Sequence, residues 1–157
     1  MKNKKLFQID WILINELAIG KIPKKESHLL EIKKIGIKSI FSLCSEDEAQ
    51  TLEKMYDLFN CERFVLPDHK SGRILDVESL LSALKILDNL LKDGPVYIHC
   101  IAAMERSPIV CMAWLIKKHK LSLDESLNYL MDIHLGTNPL TEQINILRDE
   151  KFLNEKI

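Results

Sequence analysis

Residues 97–113 read YIHCIAAMERSPIVCMA, and this stretch organises the rest of the chain. An apolar run, Val96, Tyr97 and Ile98, ends at His99-Cys100. Five residues follow, then Arg106-Ser107-Pro108 and a long apolar segment. The first run has the length of a buried strand and the last that of a buried helix, and proline is favoured in a helix's first turn. A thiol therefore sits at the end of a strand, a guanidinium closes a short loop, and a helix N-terminus points at that loop. This arrangement holds a phosphate-sized anion against a sulfur nucleophile.

Working outward, Asp93-Gly94-Pro95 turns the chain into strand 96–99, and the 3.6-residue apolar spacing over 75–92 predicts a helix. Residues 68–73 are a polar loop containing Gly72, and 63–66 read as a short strand stopped by Pro67. Glu46-Asp47-Glu48 opens a helix to about Phe59, because negative charge suits a helix N-terminus. Residues 37–43 alternate into a buried strand. Ser27 caps a helix over 28–35, with Gly36 as its stop, and residues 11–20 read as short strands ending at Gly20. Downstream, the helix begun near Pro108 runs to about Lys118. Ser122 and Glu125 form a capping box, and Pro139 or Thr141 starts a last helix to the C-terminus. Strands alternating with helices give an α/β fold: a single domain over residues 1–157 with its core in about 10–150. It has a central, mostly parallel (mixed) sheet of about 4–5 strands and helices on both faces.

Bulk properties narrow the function classes. The chain has 157 residues, 46% hydrophobic and 29% charged, enough for one globular domain. A net charge of -1 provides no global field for nucleic acid or an anionic membrane. The lysines concentrated in the first forty residues (Lys2, Lys4, Lys5, Lys21, Lys24, Lys25, Lys33, Lys34, Lys38) read as a solvated surface. The cysteines, Cys44, Cys61, Cys100 and Cys111, form no C-x-x-C pair and have no zinc spacing. No apolar signal core and no stretch of roughly 18 apolar residues is present, so the reading is a cytoplasmic protein with reduced thiols.

The chemistry centres on Cys100. A helix N-terminus and a neighbouring arginine both stabilise a thiolate. Arg106 supplies a planar fork for two phosphate oxygens and for the charge that grows on them, which a lysine would meet only as a point charge. The backbone amides of Ile101, Ala102, Ala103, Met104 and Glu105 form an anion-binding nest around the same oxygens. Ser107 either donates to the Cys100 sulfur or caps the following helix. His99 supports the loop backbone. Cys111, within the apolar helix, is a buried thiol. A leaving oxygen needs a proton. Asp68 is the candidate acid, because loops at the carboxyl ends of parallel strands converge. His69 is its back-up and Asp76 a weaker choice.

On these residues the chain resembles the cysteine-dependent protein tyrosine phosphatase superfamily, specifically its small dual-specificity branch. His99-Cys100, five residues, then Arg106-Ser107 matches the family's H-C-x5-R-[ST] loop, and Asp68 falls where that branch keeps its general acid. The resemblance implies a phosphotyrosine phosphatase-like fold and a two-step hydrolysis of phosphomonoesters through a phosphocysteine. Cys100 is the nucleophile, Asp68 the acid and then the base, and Ser107 eases departure of the thiolate. It implies no metal and no cofactor. The substrate is a phosphorylated protein or a small phosphomonoester, neither nucleic acid nor membrane, and oligomeric state stays open. Dual specificity is favoured over strict phosphotyrosine use, because the short chain carries no obvious tyrosine-recognition loop.

Some positions depart from the pattern. Ala103 stands where the family usually has glycine, and a left-handed backbone there would cost an alanine about 1–2 kcal/mol. Glu105 opposes polyanionic substrates such as phosphoinositides. Ser42 stands where relatives often carry a bracing asparagine. In related lipid phosphatases a cysteine placed like Cys44 can form a disulfide with the nucleophile, so the resemblance makes Cys44 a candidate redox partner for Cys100, the alternative being a buried thiol. Asn138 and Gln143 lie where related enzymes keep an Asn and a Gln that support the site. The alternatives are a catalytically weak phosphate-binding module and another thiol enzyme, such as an arsenate reductase or sulfurtransferase.

Overall fold

The computed structural model describes residues 6–157, so Lys2, Lys4 and Lys5 of the basic cluster lie outside the described residues. Five strands form: β1 (Ile9–Leu13), β2 (Leu17–Gly20), β3 (Ser39–Ser42), β4 (Asn60–Arg63) and β5 (Val96–His99). They make one sheet ordered β1-β2-β5-β3-β4. β1 runs antiparallel to β2, and every other pairing is parallel. The three interior strands, β2, β5 and β3, are buried along their whole length, as strands of a doubly covered sheet must be. Gly20 ends β2 for a steric reason: a Cβ there would collide with the hydroxyl of Tyr97, which donates to the Lys21 carbonyl at 2.6 Å.

Helices cover both faces. α1 (Glu26–Lys34) and α2 (Glu53–Leu58) bury Leu29, Ile32 and Met55 against Ala18, Ile40 and Tyr97. On the other face lie α3 (Val77–Leu91), α4 (Arg106–His119), α5 (Leu123–Ile133), α6 (Thr141–Ile146) and α7 (Glu150–Asn154), packed on Ile19, Phe41 and Ile98. α3 buries Leu80, Leu84 and Leu87 at helical spacing, and truncating Leu84 to alanine would remove about 2–5 kcal/mol of packing. The Ser122–Glu125 capping box starts α5 as expected. Among the described residues no helix is long and apolar enough to cross a membrane.

The structure corrects four local expectations. Ser27 is not a cap; it lies inside α1, whose cap position is Lys25. The acidic stretch 46–48 does not open a helix, and α2 begins at Glu53. The Glu46 carboxylate instead accepts from the amide and hydroxyl of Thr51, at 2.7 and 3.0 Å. The Arg63 guanidinium, meanwhile, gathers the carbonyls of Cys44 and Ala49. The strand expected at 63–66 is displaced to Asn60–Arg63. Phe64 and Leu66 still donate to the carbonyls of Ser42 and Leu43, which carries an extended chain towards Asp68. The last helix is split in two, because Asp149 accepts from the Lys151 amide at 2.8 Å and so starts a new N-terminus.

Candidate active site

Residues 100–105 join the end of β5 to α4, and both flanking elements are buried. Three carbonyls of this loop are tied to two distant parts of the scaffold, the segment after β2 and the connection between α5 and α6. The oxygen of Ile101 accepts from the Ile22 amide at 3.3 Å, and that of Met104 from the Asn138 amide at 2.7 Å. The oxygen of Ala103 accepts from His134 Nε2 at 2.6 Å. The amides of residues 101–106 donate to no acceptor among the described residues. A run of unpaired amides beside the buried Cys100 and Arg106 makes a cradle for an oxyanion. Ala103 has φ 56 and is fully buried, so the backbone here does adopt the conformation that alanine disfavours.

Arg106 is the first residue of α4 and is buried beside Cys100. Its fork is held from one side. Nη1 and Nη2 reach the two carboxylate oxygens of Glu48, at 3.2 and 3.0 Å, and Nη1 also donates to the carbonyls of Leu66 and Leu43, at 3.3 and 3.4 Å. Burial works against the guanidinium's charge, but the Glu48 bond and the nearby anionic groups outweigh it and raise its pKa. The same bond holds the Glu48 carboxyl below the usual range. The arginine is thus preset in a charged, planar state from which it can grip phosphate oxygens. Sequence reasoning missed Glu48, although an acidic cluster just past the carboxyl end of β3 is the signal that could have found it.

Asp68 sits in the loop above. Its Oδ2 is 4.0 Å from Arg106 Nη2, and its Oδ1 accepts from the Lys70 amide at 3.0 Å. His69, the back-up acid, is engaged elsewhere: its Nδ1 is 2.8 Å from Glu105 Oε2. Glu105 Oε1 accepts from the buried Gln143 Nε2 at 3.2 Å, so this carboxylate serves as a tie between loops. Asp76 stands apart, accepting from the Ser79 amide at 2.7 Å as the cap of α3. Cys100, Arg106, Asp68 and Asn138 share a cavity of about 810 Å³ with Glu48 and Lys70.

Five neighbours complete the geometry. Burial pushes the His99 imidazole down to about 4, so it is neutral; its Nδ1 donates to the Cys100 carbonyl at 3.0 Å, and its Nε2 has no partner among the described residues. Ser107 lies inside α4, where Glu105 occupies the cap position, so the capping alternative fails. Its buried hydroxyl has no partner among the described residues and is available to a sulfur as its charge grows. Cys44, just beyond β3, is a buried free thiol pushed up to about 12 by burial. Ser42 accepts from Arg63 Nη1 at 3.3 Å. Cys111 is fully buried and free, and burial raises its pKa.

The chain matches the family described as dual specificity phosphatase, catalytic domain, over residues 22–151. Dual specificity protein phosphatase PHS1 of Arabidopsis thaliana is 26% identical over 109 residues, which are 69% of this chain and 12% of that protein. Phosphatidylglycerophosphate phosphatase PTPMT2, also of Arabidopsis thaliana, is 24% identical over 127 residues, 78% of this chain and 54% of that one. The chain therefore spans well under two thirds of these relatives. The solved structure of Tk-PTP in the active form superposes with a TM-score of 0.77 at 25% identity, covering 95% of this chain and 97% of its own. The chain belongs to the dual specificity phosphatase family, within the cysteine-dependent protein tyrosine phosphatase superfamily.

Proposed function

We propose that this member of the family is an active phosphomonoester hydrolase. Its substrates are phosphotyrosine and phosphoserine or phosphothreonine in proteins, and it works as one catalytic unit with its core in about 10–150. Cys100 Sγ attacks phosphorus in line, the P–O ester bond breaks, and Asp68 gives its proton to the leaving oxygen. Asp68 then takes a proton from water as that water's oxygen attacks phosphorus. The S–P bond breaks, and Ser107 donates to the departing thiolate. Arg106 and the amides of 101–106 stabilise the charge on the equatorial oxygens throughout, while His99 holds the Cys100 carbonyl.

The observation that carries this reading is the run of unpartnered amides closed by a charged, buried Arg106 on the loop that begins at Cys100. Rapid-quench hydrolysis of an aryl phosphate tests it. Wild type should accumulate an acid-stable phosphoenzyme, and Cys100→Ser should abolish both phosphoenzyme and turnover. Activity surviving in that variant defeats the mechanism. Arsenate reduction or thiosulfate turnover without phosphatase activity would favour the other thiol chemistry.

The mouth of the cavity supports a singly phosphorylated protein side chain over a polyanionic headgroup. Besides Arg106, which holds the reacting phosphate, Lys70 is the one lysine or arginine among the described residues that line it, so further phosphate groups would meet little positive charge. Phosphate release from phosphotyrosine and phosphoserine peptides, measured beside phosphatidylglycerophosphate vesicles, checks this. A preference for the vesicles overturns it.

Cys44 is the redox partner in this reading. Peroxide converts the Cys100 thiolate to a sulfenic acid, and Cys44 displaces water from it to form a disulfide. Because Cys44 is held as a thiol, the closing step should be slow below strongly alkaline pH. Full recovery of peroxide-treated wild type with dithiothreitol, and its loss in Cys44→Ser, is the expected result.

A further inference from the structure

Ala103 is the one residue between Cys100 and Arg106 with a positive φ, and something must hold an L-residue there. Its oxygen accepts from His134 Nε2 at 2.6 Å, and His134 Nδ1 lies 2.6 Å from Asp10 Oδ2. Gln8 Nε2 steadies the carboxylate from behind, at 3.2 and 3.0 Å from its two oxygens. His134 is buried and caps the C-terminal end of α5, and its own carbonyl accepts from Thr137 Oγ1 at 2.8 Å. A carbonyl can only accept, and so can an ionised carboxylate. The two short contacts therefore need one proton more than a neutral imidazole beside a carboxylate carries. That proton lies between Nδ1 and Asp10 Oδ2.

We propose that His134, braced by Asp10, is the positioning residue that keeps Ala103 left-handed and the phosphate cradle open. In a trans peptide the N–H points opposite the C=O. Anchoring the Ala103 oxygen on His134 thus turns the Met104 amide the other way, into the row of free donors. The kinetic consequence rests on the phosphatase reading above; the geometry does not.

The test combines aryl phosphate kinetics, vanadate inhibition and nitrogen-15 NMR on five variants of the full chain: His134→Ala, Asp10→Ala, Asp10→Asn, Ala103→Gly, and His134→Ala combined with Ala103→Gly. His134→Ala and Asp10→Ala should each lower kcat/KM by roughly 10–100-fold and weaken vanadate inhibition in step, as expected for reacting groups displaced by about an ångström. Asp10→Asn should restore most of what Asp10→Ala loses, because its amide can donate to Nδ1 of a neutral ring and leave Nε2–H on the Ala103 oxygen. Glycine adopts this backbone unaided. In an Ala103→Gly background, then, His134→Ala should cost less than about threefold. A residue that merely supports the fold would lower Tm without that rescue at position 103.

The proposal is overturned if His134→Ala leaves kcat/KM and vanadate affinity within twofold of wild type, or if its loss is the same with and without Ala103→Gly. Should wild type neither turn over the aryl phosphate nor bind vanadate, the phosphatase reading falls and NMR decides the strut alone. A bridging proton on Nδ1 and a Met104 amide resonance that shifts in His134→Ala support it. An unmoved Met104 resonance refutes it.

Discussion

Two loops meet over the cavity, and they are held in opposite ways. Loop 100–106 is buried at Cys100, Ala103 and Arg106, and three of its carbonyls are fixed from two distant segments, by Ile22 after β2 and by His134 and Asn138 after α5. Loop 67–73 is largely exposed and mostly bonds to itself: Lys70 to Asp68 at 3.0 Å, Ser71 to the Asp68 carbonyl at 2.8 Å, Arg73 to Ser71 at 3.2 Å. Its ties across the site are His69 to Glu105 at 2.8 Å and Asp68 to Arg106 at 4.0 Å. Stabilising charge in a transition state needs dipoles fixed in advance. Delivering one proton needs only a group that arrives when the substrate is in place. In the mechanism proposed above, the first task falls to the rigid loop and the second to the loose one.

The largest expected effect breaks the comparison at the loose loop. Asp68→Asn should slow hydrolysis of phenyl phosphate by roughly 10²–10⁴-fold, yet hardly affect a substrate whose leaving group needs no proton, such as 2,4-dinitrophenyl phosphate. Equal slowing of both substrates would place the acid elsewhere. Arg106→Lys tests the rigid loop: a loss of about 10²–10³-fold that is the same for both leaving groups, measured as kcat/KM.

Acid should undo the rigid side first. His99 titrates near 4 when folded because burial opposes its charged form, whereas an unfolded histidine titrates near 6.5. The unfolded chain therefore takes up the proton first as pH falls. Stability that is complete above 6.5 drains between 6.5 and 4, by about 3 kcal/mol at most. Urea titrations over that range should show this slope, and His99→Gln should flatten it.

The smallest effects form a matched pair. Gly72, at φ 68 with open space around it, should lose about 1 kcal/mol as alanine. Ala103, at φ 56, should gain up to about 1 kcal/mol as glycine. Thermal melts of the two variants that moved in the same direction would dissolve the distinction.

What could be read along the chain was whatever local spacing encodes. The strand, loop and helix from 96 to 119, the capping box at Ser122 and Glu125, and the periodic helix ending at Leu91 were all legible. What could not be read depended on partners distant in sequence. Glu46 and Glu48 have the charge of a helix start, but Thr51 and Arg106 claim their carboxylates. Glu105 looked repulsive beside a phosphate until His69 and Gln143 were seen to occupy it. The link between Asp10 and His134 leaves no local trace, since the two are 124 residues apart.

That separation has a consequence for how the molecule comes to life. β5 completes the sheet at His99, but the residue that sets Ala103 emerges about 35 residues later. At roughly 5–20 residues per second of synthesis, the nascent chain spends seconds with its five strands made and its reaction centre unset. In refolding the same closure is the longest loop to draw shut, so recovery of turnover should trail recovery of the far-ultraviolet circular dichroism signal.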